Sequence, residues 1–136
     1  MIKPIMKDML FLAQKSDPAA KEDLQTARDL LDTLRAHDEH CVGMAANMIG
    51  VRKRIIAVSV GFGHLVMLNP VIVKKSGPYE AQEGCLSLSG VRSAKRYEQI
   101  EVTWQDMDMK AKRQSFGGYT AQIIQHEIDH CDGILI

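Results

Sequence analysis

A surplus of charge of either sign is the first thing this chain lacks: lysine plus arginine and aspartate plus glutamate number 17 each in 136 residues. Without a net field, no general attraction draws it to nucleic acid, to an anionic membrane or to strongly acidic substrates, and specificity has to be local. Neither direct nucleic-acid binding nor membrane contact is expected. Long hydrophobic runs are missing too. No run approaches the roughly 20 apolar residues that span a bilayer. The short apolar stretch Met9 to Leu12 is bracketed by Lys7, Asp8 and Lys15 and lacks a small-residue cleavage pattern, so it does not read as a signal peptide. Cysteine is scarce and odd in number, with Cys41, Cys85 and Cys131. In the cytoplasm, where such a chain is expected, these are thiols or ligands rather than disulfides. Internal repeats and low-complexity linkers are absent as well.

What remains is an ordinary globular composition, 46% hydrophobic and 25% charged, at a length that suits one domain over residues 1–136. Asp17-Pro18 reads as an N-cap followed by proline at the first helical position. Leu24, Ala27, Leu30, Leu31 and Leu34 then recur at helical spacing, which predicts an amphipathic helix ending near His37. From Arg54 the pattern turns to strands: Ile55 to Val58, Leu65 to Leu68 after glycines 61 and 63, and Val71 to Val73 beyond Pro70. Gly77-Pro78 reads as a turn. Ile100, Val102 and Trp104 alternate onto one face of a strand over Glu98 to Trp104, and a shorter strand is predicted from Met109 to Phe116. Gly117-Gly118 breaks the chain before a helix over Tyr119 to Asp132 that ends at Gly133. Strands segregated from helices predict an α+β domain, with mainly antiparallel β-sheet packed around the C-terminal helix and a second helix near the N-terminus.

The C-terminal helix carries His126-Glu127-Ile128-Asp129-His130, an HExxH pattern. Two histidines four residues apart leave one helix face and can hold a single divalent metal, while Glu127, about 100° round the helix, can address a water instead. A cation lowers the pKa of water, and the carboxylate can take its proton and pass it to a leaving amine. A catalytic site of this kind needs a third protein ligand and one open position. Only six residues follow His130, and the place where a longer motif would put a third histidine is Ile136, so the ligand comes from upstream. Cys131 is about 140° from His126 on the helix, off the ligand face, and reads as a small buried hydrophobe. Cys41 and Cys85 remain, and Cys41 could also serve as a fourth ligand of a closed structural site.

Cys85 lies in EGCLS at 83–87. Together with QHEIDH at 125–130 and VGMAAN at 42–47, in that order along the chain, this segment resembles the peptide deformylases. The resemblance implies that Cys85, His126 and His130 bind one metal ion, ferrous iron first, with nickel, cobalt or zinc as substitutes. It implies Glu127 as general acid and base and the backbone N–H of Leu86 as an oxyanion donor. Val42, Gly43 and Gly84 would border the peptide, with Tyr119 and Ile123 near the methionine side chain. The implied reaction is hydrolysis of the N-formyl group from formylmethionyl peptides in a bacterial cytoplasm, with transient ribosome contact. The alternative is a deformylase-like protein that binds metal and peptide with little catalysis.

The first motif departs from the family's GxGxAAxQ. Cys41 stands at the first glycine and Met48 at the glutamine, whose amide donates to the developing oxyanion in the family. A thioether cannot donate, and Asn47, one position early, would need a shifted backbone to substitute. Ser89 replaces a frequent proline. The sequence ends at Ile136, short of the C-terminal helix with which some members contact the ribosome.

Overall fold

The computed structural model describes every residue except Phe62 and Leu86. Helix α1 (Met9–Leu12) is a single turn capped by the Asp8 carboxylate, which accepts from the N–H of Leu10. Helix α2 (Leu24–Ala36) follows a 3-10 turn over Lys21–Asp23. Then come β1 (Gly43–Ala45), a 3-10 turn over Ala46–Ile49, β2 (Ile55–Ser59), β3 (His64–Cys85), β4 (Leu88–Gln105), β5 (Ala111–Gly117) and α3 (Gly118–Cys131). The five strands form one antiparallel meander in chain order, which is the expected α+β class.

Strand β2 runs through the middle of the core. Ile56 and Val58 pack with Ile124 and Ile128 of α3, whereas Ile55 and Ala57 pack with Leu30 and Leu34 of α2. Burial on both faces explains why Ile55 to Val58 is an unbroken apolar run and not an alternating one. Leu30 and Leu34 are fully buried, and burying a leucine side chain contributes about 1.5–3 kcal/mol.

Three expectations need correction. Asp17 and Pro18 do not start α2: Asp17 bridges to Lys53 as an isolated β-pair, and the Asp23 carboxylate accepts from the N–H of Ala20 at the helix entry. Val71 to Val73 is not a separate strand, because β3 continues past Pro70 with a register shift between Leu68 and Val71. Gly77-Pro78 is not a turn. Pro78 sits inside β3 opposite Tyr97, and since β2 pairs with residues 64–68, the chain around Pro78 has among the described residues no strand on its other side to need an N–H. A long β3–β4 hairpin results, and its tip brings Glu83, Gly84 and Cys85 to α3.

Helix α3 is held by side chains reaching its backbone and by its own amides. The Gln125 amide donates to the Tyr97 carbonyl and accepts from the Tyr97 N–H, both at 2.9 Å, so it stands in for a strand partner of β4. Asn47 Nδ2 donates to the His130 carbonyl at 2.9 Å, and Arg54 Nη1 to the Cys131 carbonyl at 3.1 Å. Past the helix end, Gly133 adopts φ 75, its N–H bonding to His130 O and that of Ile134 to Asp129 O, both at 3.0 Å. These two bonds are a Schellman closure, and they leave the last carbonyls satisfied. A Cβ on Gly133 would also come within 2.6 Å of the Ala13 carbonyl oxygen. Gly133→Ala is therefore expected to destabilise by about 2 kcal/mol or more. Gly61, at φ 87, where an added Cβ would meet no atom within 4 Å, is the control, with about 1 kcal/mol expected for Gly61→Ala. Denaturant unfolding of the two variants checks the difference.

Candidate metal centre

Helix α3 turns His126, Glu127 and His130 inward, at 7%, 4% and 1% exposure. The end of β3 meets them with Cys85. Nε2 of His126 and Nε2 of His130 lie 2.9 Å apart, and Cys85 Sγ is 3.4 Å from His130 Nε2. The three ligand atoms fall within 4.8 Å of one another, and they are the one such cluster among the described residues. Cys41 is outside it, so the closed four-ligand reading has no support. Cys131 is 1% exposed, the buried hydrophobe expected, and burial pushes its thiol up to about 12.

The electrostatics are those of a cation site. Burial works against charge on His126, but Cys85, Glu83 and Glu127 outweigh it and bring its imidazole up to about 10. Burial and the neighbouring His126 take His130 down to about 3. Two imidazole nitrogens and a cysteine sulfur thus crowd together with no other partner between them than one another. A divalent cation relieves that crowding, and a thiolate with two imidazoles is a donor set that zinc or iron accepts. The donors fit a metal. Burial also pushes the Glu127 carboxyl up to about 7, and its Oε1 has no hydrogen-bond partner among the described residues.

A further layer went unassigned in the sequence. His126 Nδ1 donates to Glu83 Oε1 at 2.8 Å, and Arg96, 4% exposed, clamps the same carboxylate through Nη2 to Oε1 at 2.7 Å and Nε to Oε2 at 2.9 Å. Arg96 Nη1 also reaches Asp129 Oδ2 at 2.7 Å. Burial works to raise the Glu83 carboxyl, but the bonds from His126 and Arg96 bring it down to about 2. The clamp fixes the His126 ring with Nε2 toward the cluster. EGCLS held the clue for Glu83, and nothing near Arg96 in sequence marks it.

A cleft of about 530 Å³ opens over the cluster. Val42, Gly43, Gly84, Tyr119 and Ile123 all border it, as does Met48, which is 1% exposed. Gly43 is required by close approach: a Cβ there would lie 2.7 Å from Ile123 Cγ2 and 2.8 Å from Glu127 Oε2. Gly84 is not crowded in this way, its nearest neighbour being the Gly90 oxygen at 3.7 Å. Met48 Sδ accepts from the Ala45 N–H at 3.4 Å, and Asn47 is committed to His130, so neither side chain donates into the cleft. Leu86, whose N–H is the expected oxyanion donor, lies outside the described residues.

Fold and site together define a metal-dependent hydrolase built on an HExxH helix. Residues 2–136 match the family model of polypeptide deformylase, and the chain belongs to the peptide deformylase family. The peptide deformylase of Clostridium beijerinckii is 61% identical over 136 residues, which is 100% of both chains. That of Dictyoglomus thermophilum is 39% identical over 134 residues, 98% of this chain and 84% of the relative. The peptide deformylase structure from Thermotoga maritima superposes with a TM-score of 0.90 at 29% identity, covering 99% of this chain and 95% of that one. A class I type b peptide deformylase from Acinetobacter baumannii, solved with Met-Ala-Ser bound, gives 0.89 at 28% identity, covering 99% and 97%. Deformylation of nascent peptides is the function this kinship supports, and the binding-protein alternative is not favoured by it.

The clamp makes a prediction of its own. Glu83→Gln keeps the shape but removes the charge facing His126 and Arg96, and metal affinity is expected to fall about 10–100-fold. Competition for zinc with a chromogenic chelator measures it, and unchanged affinity would remove Glu83 from this role.

Proposed function

We propose that Cys85, His126 and His130 hold one divalent cation, ferrous iron natively with nickel, cobalt or zinc able to replace it, and that the cleft above receives the N-terminal end of a formylated peptide. The observation that carries this is the convergence of two buried imidazoles and a half-buried thiol beside a buried carboxylate with a free oxygen, at the floor of the cleft. When bound, the metal supplies Lewis acidity toward water and the formyl oxygen. Glu127 accepts the proton of the attacking water as oxygen adds to the formyl carbon. It then delivers that proton to the amine as the C–N bond breaks, releasing formate and a free N-terminus. The backbone N–H of Leu86 steadies the negative charge on the former carbonyl oxygen. Val42, Gly43 and Gly84 flank the peptide backbone, and Tyr119 and Ile123 receive the methionine side chain. A substrate class of nascent chains implies transient association with ribosomes in a bacterial cytoplasm.

Formate release from formyl-Met-Ala-Ser by iron- or nickel-loaded protein tests the reading, with Glu127→Ala expected to lose at least about 10²-fold of the rate. Wild type no faster than Glu127→Ala would overturn it. A second expectation concerns Met48. Glutamine matches methionine in reach, so in Met48→Gln the amide oxygen can take over acceptance from the Ala45 N–H while Nε2 donates into the cleft. Since one oxyanion donor is worth about 10²–10³ in turnover when fully aligned, kcat is expected to rise at little change in KM. A rate no higher than wild type would show that a donor at position 48 is not what limits this chain.

A further inference from the structure

Helix α3 presents Tyr119, Gln122, Ile123 and His126 to the cleft, the spacing of a single helix face. Gln122 is out of character there. It sits between the two residues assigned above to the methionine side chain and puts an amide into a wall that a thioether does not need. The amide is also aimed: Tyr79, reaching over from β3, donates its hydroxyl to Gln122 Oε1 at 3.1 Å. An amide whose oxygen is so engaged has its NH2 group left to donate, and among the described residues nothing accepts from Nε2.

We infer that Gln122 is a specificity-determining residue: its amide N–H, oriented by Tyr79, lets the cleft take a first side chain that ends in a hydrogen-bond acceptor, methionine sulfoxide above all, as well as methionine. The inference rests on the cleft being the site for formylated peptides. Its chemistry follows from the donor. A sulfoxide oxygen is a strong acceptor and a thioether a weak one, while norleucine has the same reach and no acceptor. A wall of Ile123 and the face of the Tyr119 ring would rank norleucine at least level with methionine and disfavour the sulfoxide, whose oxygen finds no donor on an apolar surface. With Gln122 in place that oxygen has a partner. Tyr79 does not touch the substrate and acts as a positioning residue, holding the amide in the rotamer that faces the cleft.

The test compares formyl-Met-Ala-Ser, formyl-norleucine-Ala-Ser and formyl-methionine-sulfoxide-Ala-Ser as substrates of metal-loaded wild type, Gln122→Leu, Gln122→Glu and Tyr79→Phe, with calorimetric affinities for the three deformylated tripeptides alongside. The sulfoxide-to-norleucine ratio is expected to fall roughly threefold to tenfold in Gln122→Leu, in both kcat/KM and affinity, which is what one hydrogen bond is worth. Gln122→Glu removes the donor and keeps the shape, so it should behave alike. Tyr79→Phe should fall less. A merely structural Gln122 would change all three peptides together, so an unchanged ratio in folded Gln122→Leu or Gln122→Glu overturns the inference. If wild type releases formate from none of the peptides, the deformylase reading fails by itself, and the tripeptide affinity ratio still decides Gln122.

Discussion

Gln125, His126, Glu127 and His130 follow one another on a helix that is buried along most of its length, and none of them is more than 7% exposed. A buried polar group without a partner costs about 1–3 kcal/mol, so the rest of the chain has to come to this helix with partners. Much of the architecture follows. Strand β4 offers its backbone at Tyr97 to Gln125, the β3 tip offers Glu83 to His126, and the turn after β1 offers Asn47 to the His130 carbonyl. Arg96 then balances the charge that Glu83 brings in, and Asp129 takes its remaining arm. What is left over is functional in character. Among the described residues, Glu127 Oε1 and His130 Nδ1 are buried atoms of this helix without a partner, beside a cluster of donors crowded at 2.9 and 3.4 Å.

The parts of this design that lie within one element were legible in the sequence. Helix α3 announces itself through its period and the glycines at its ends, and the metal pair and Glu127 come with it because their spacing is a helical one. Strand β2 is legible as an apolar run. The β3–β4 hairpin was not. Pro70 and Gly77-Pro78 carry the chemistry of turns, and they are tolerable inside a strand because among the described residues no further strand pairs with that part of β3. Since the hairpin length was hidden, so was everything it brings together. Arg96 meets Glu83 across 13 residues of chain and Asp129 across 33, separations that no local pattern encodes. Cys85 was reached through resemblance, because the residues themselves left Cys41 equally open. The structure now separates them: Cys85 meets the histidines, while the Cys41 thiol donates to the Gly43 carbonyl at 2.8 Å, and burial pushes it up to about 12.

The altered first motif can be understood as a redistribution of the same few positions between packing and chemistry. In the 3-10 turn over Ala46–Ile49 every residue is buried, and Met48 joins Met44, Ile49, Ile55 and Leu34 in the core cluster beneath α2. A buried methionine contributes about 1.5–3 kcal/mol through apolar contact, and its thioether still accepts the Ala45 N–H. A glutamine in its place would hold one amide hydrogen ready for the substrate and leave it partly unpaired in the resting protein, a state that opposes stability. The two demands pull on one side chain from opposite directions. With methionine there, the turn is packed through apolar contact, and neither Met48 nor Asn47 turns a donor toward the cleft. The order at this site then rests on the Glu83–Arg96–Asp129 clamp, through which the same hairpin end that carries Cys85 is tied to α3. The rigidity of that hairpin end therefore sets how closely Cys85 approaches the two histidines, whatever stands at position 48.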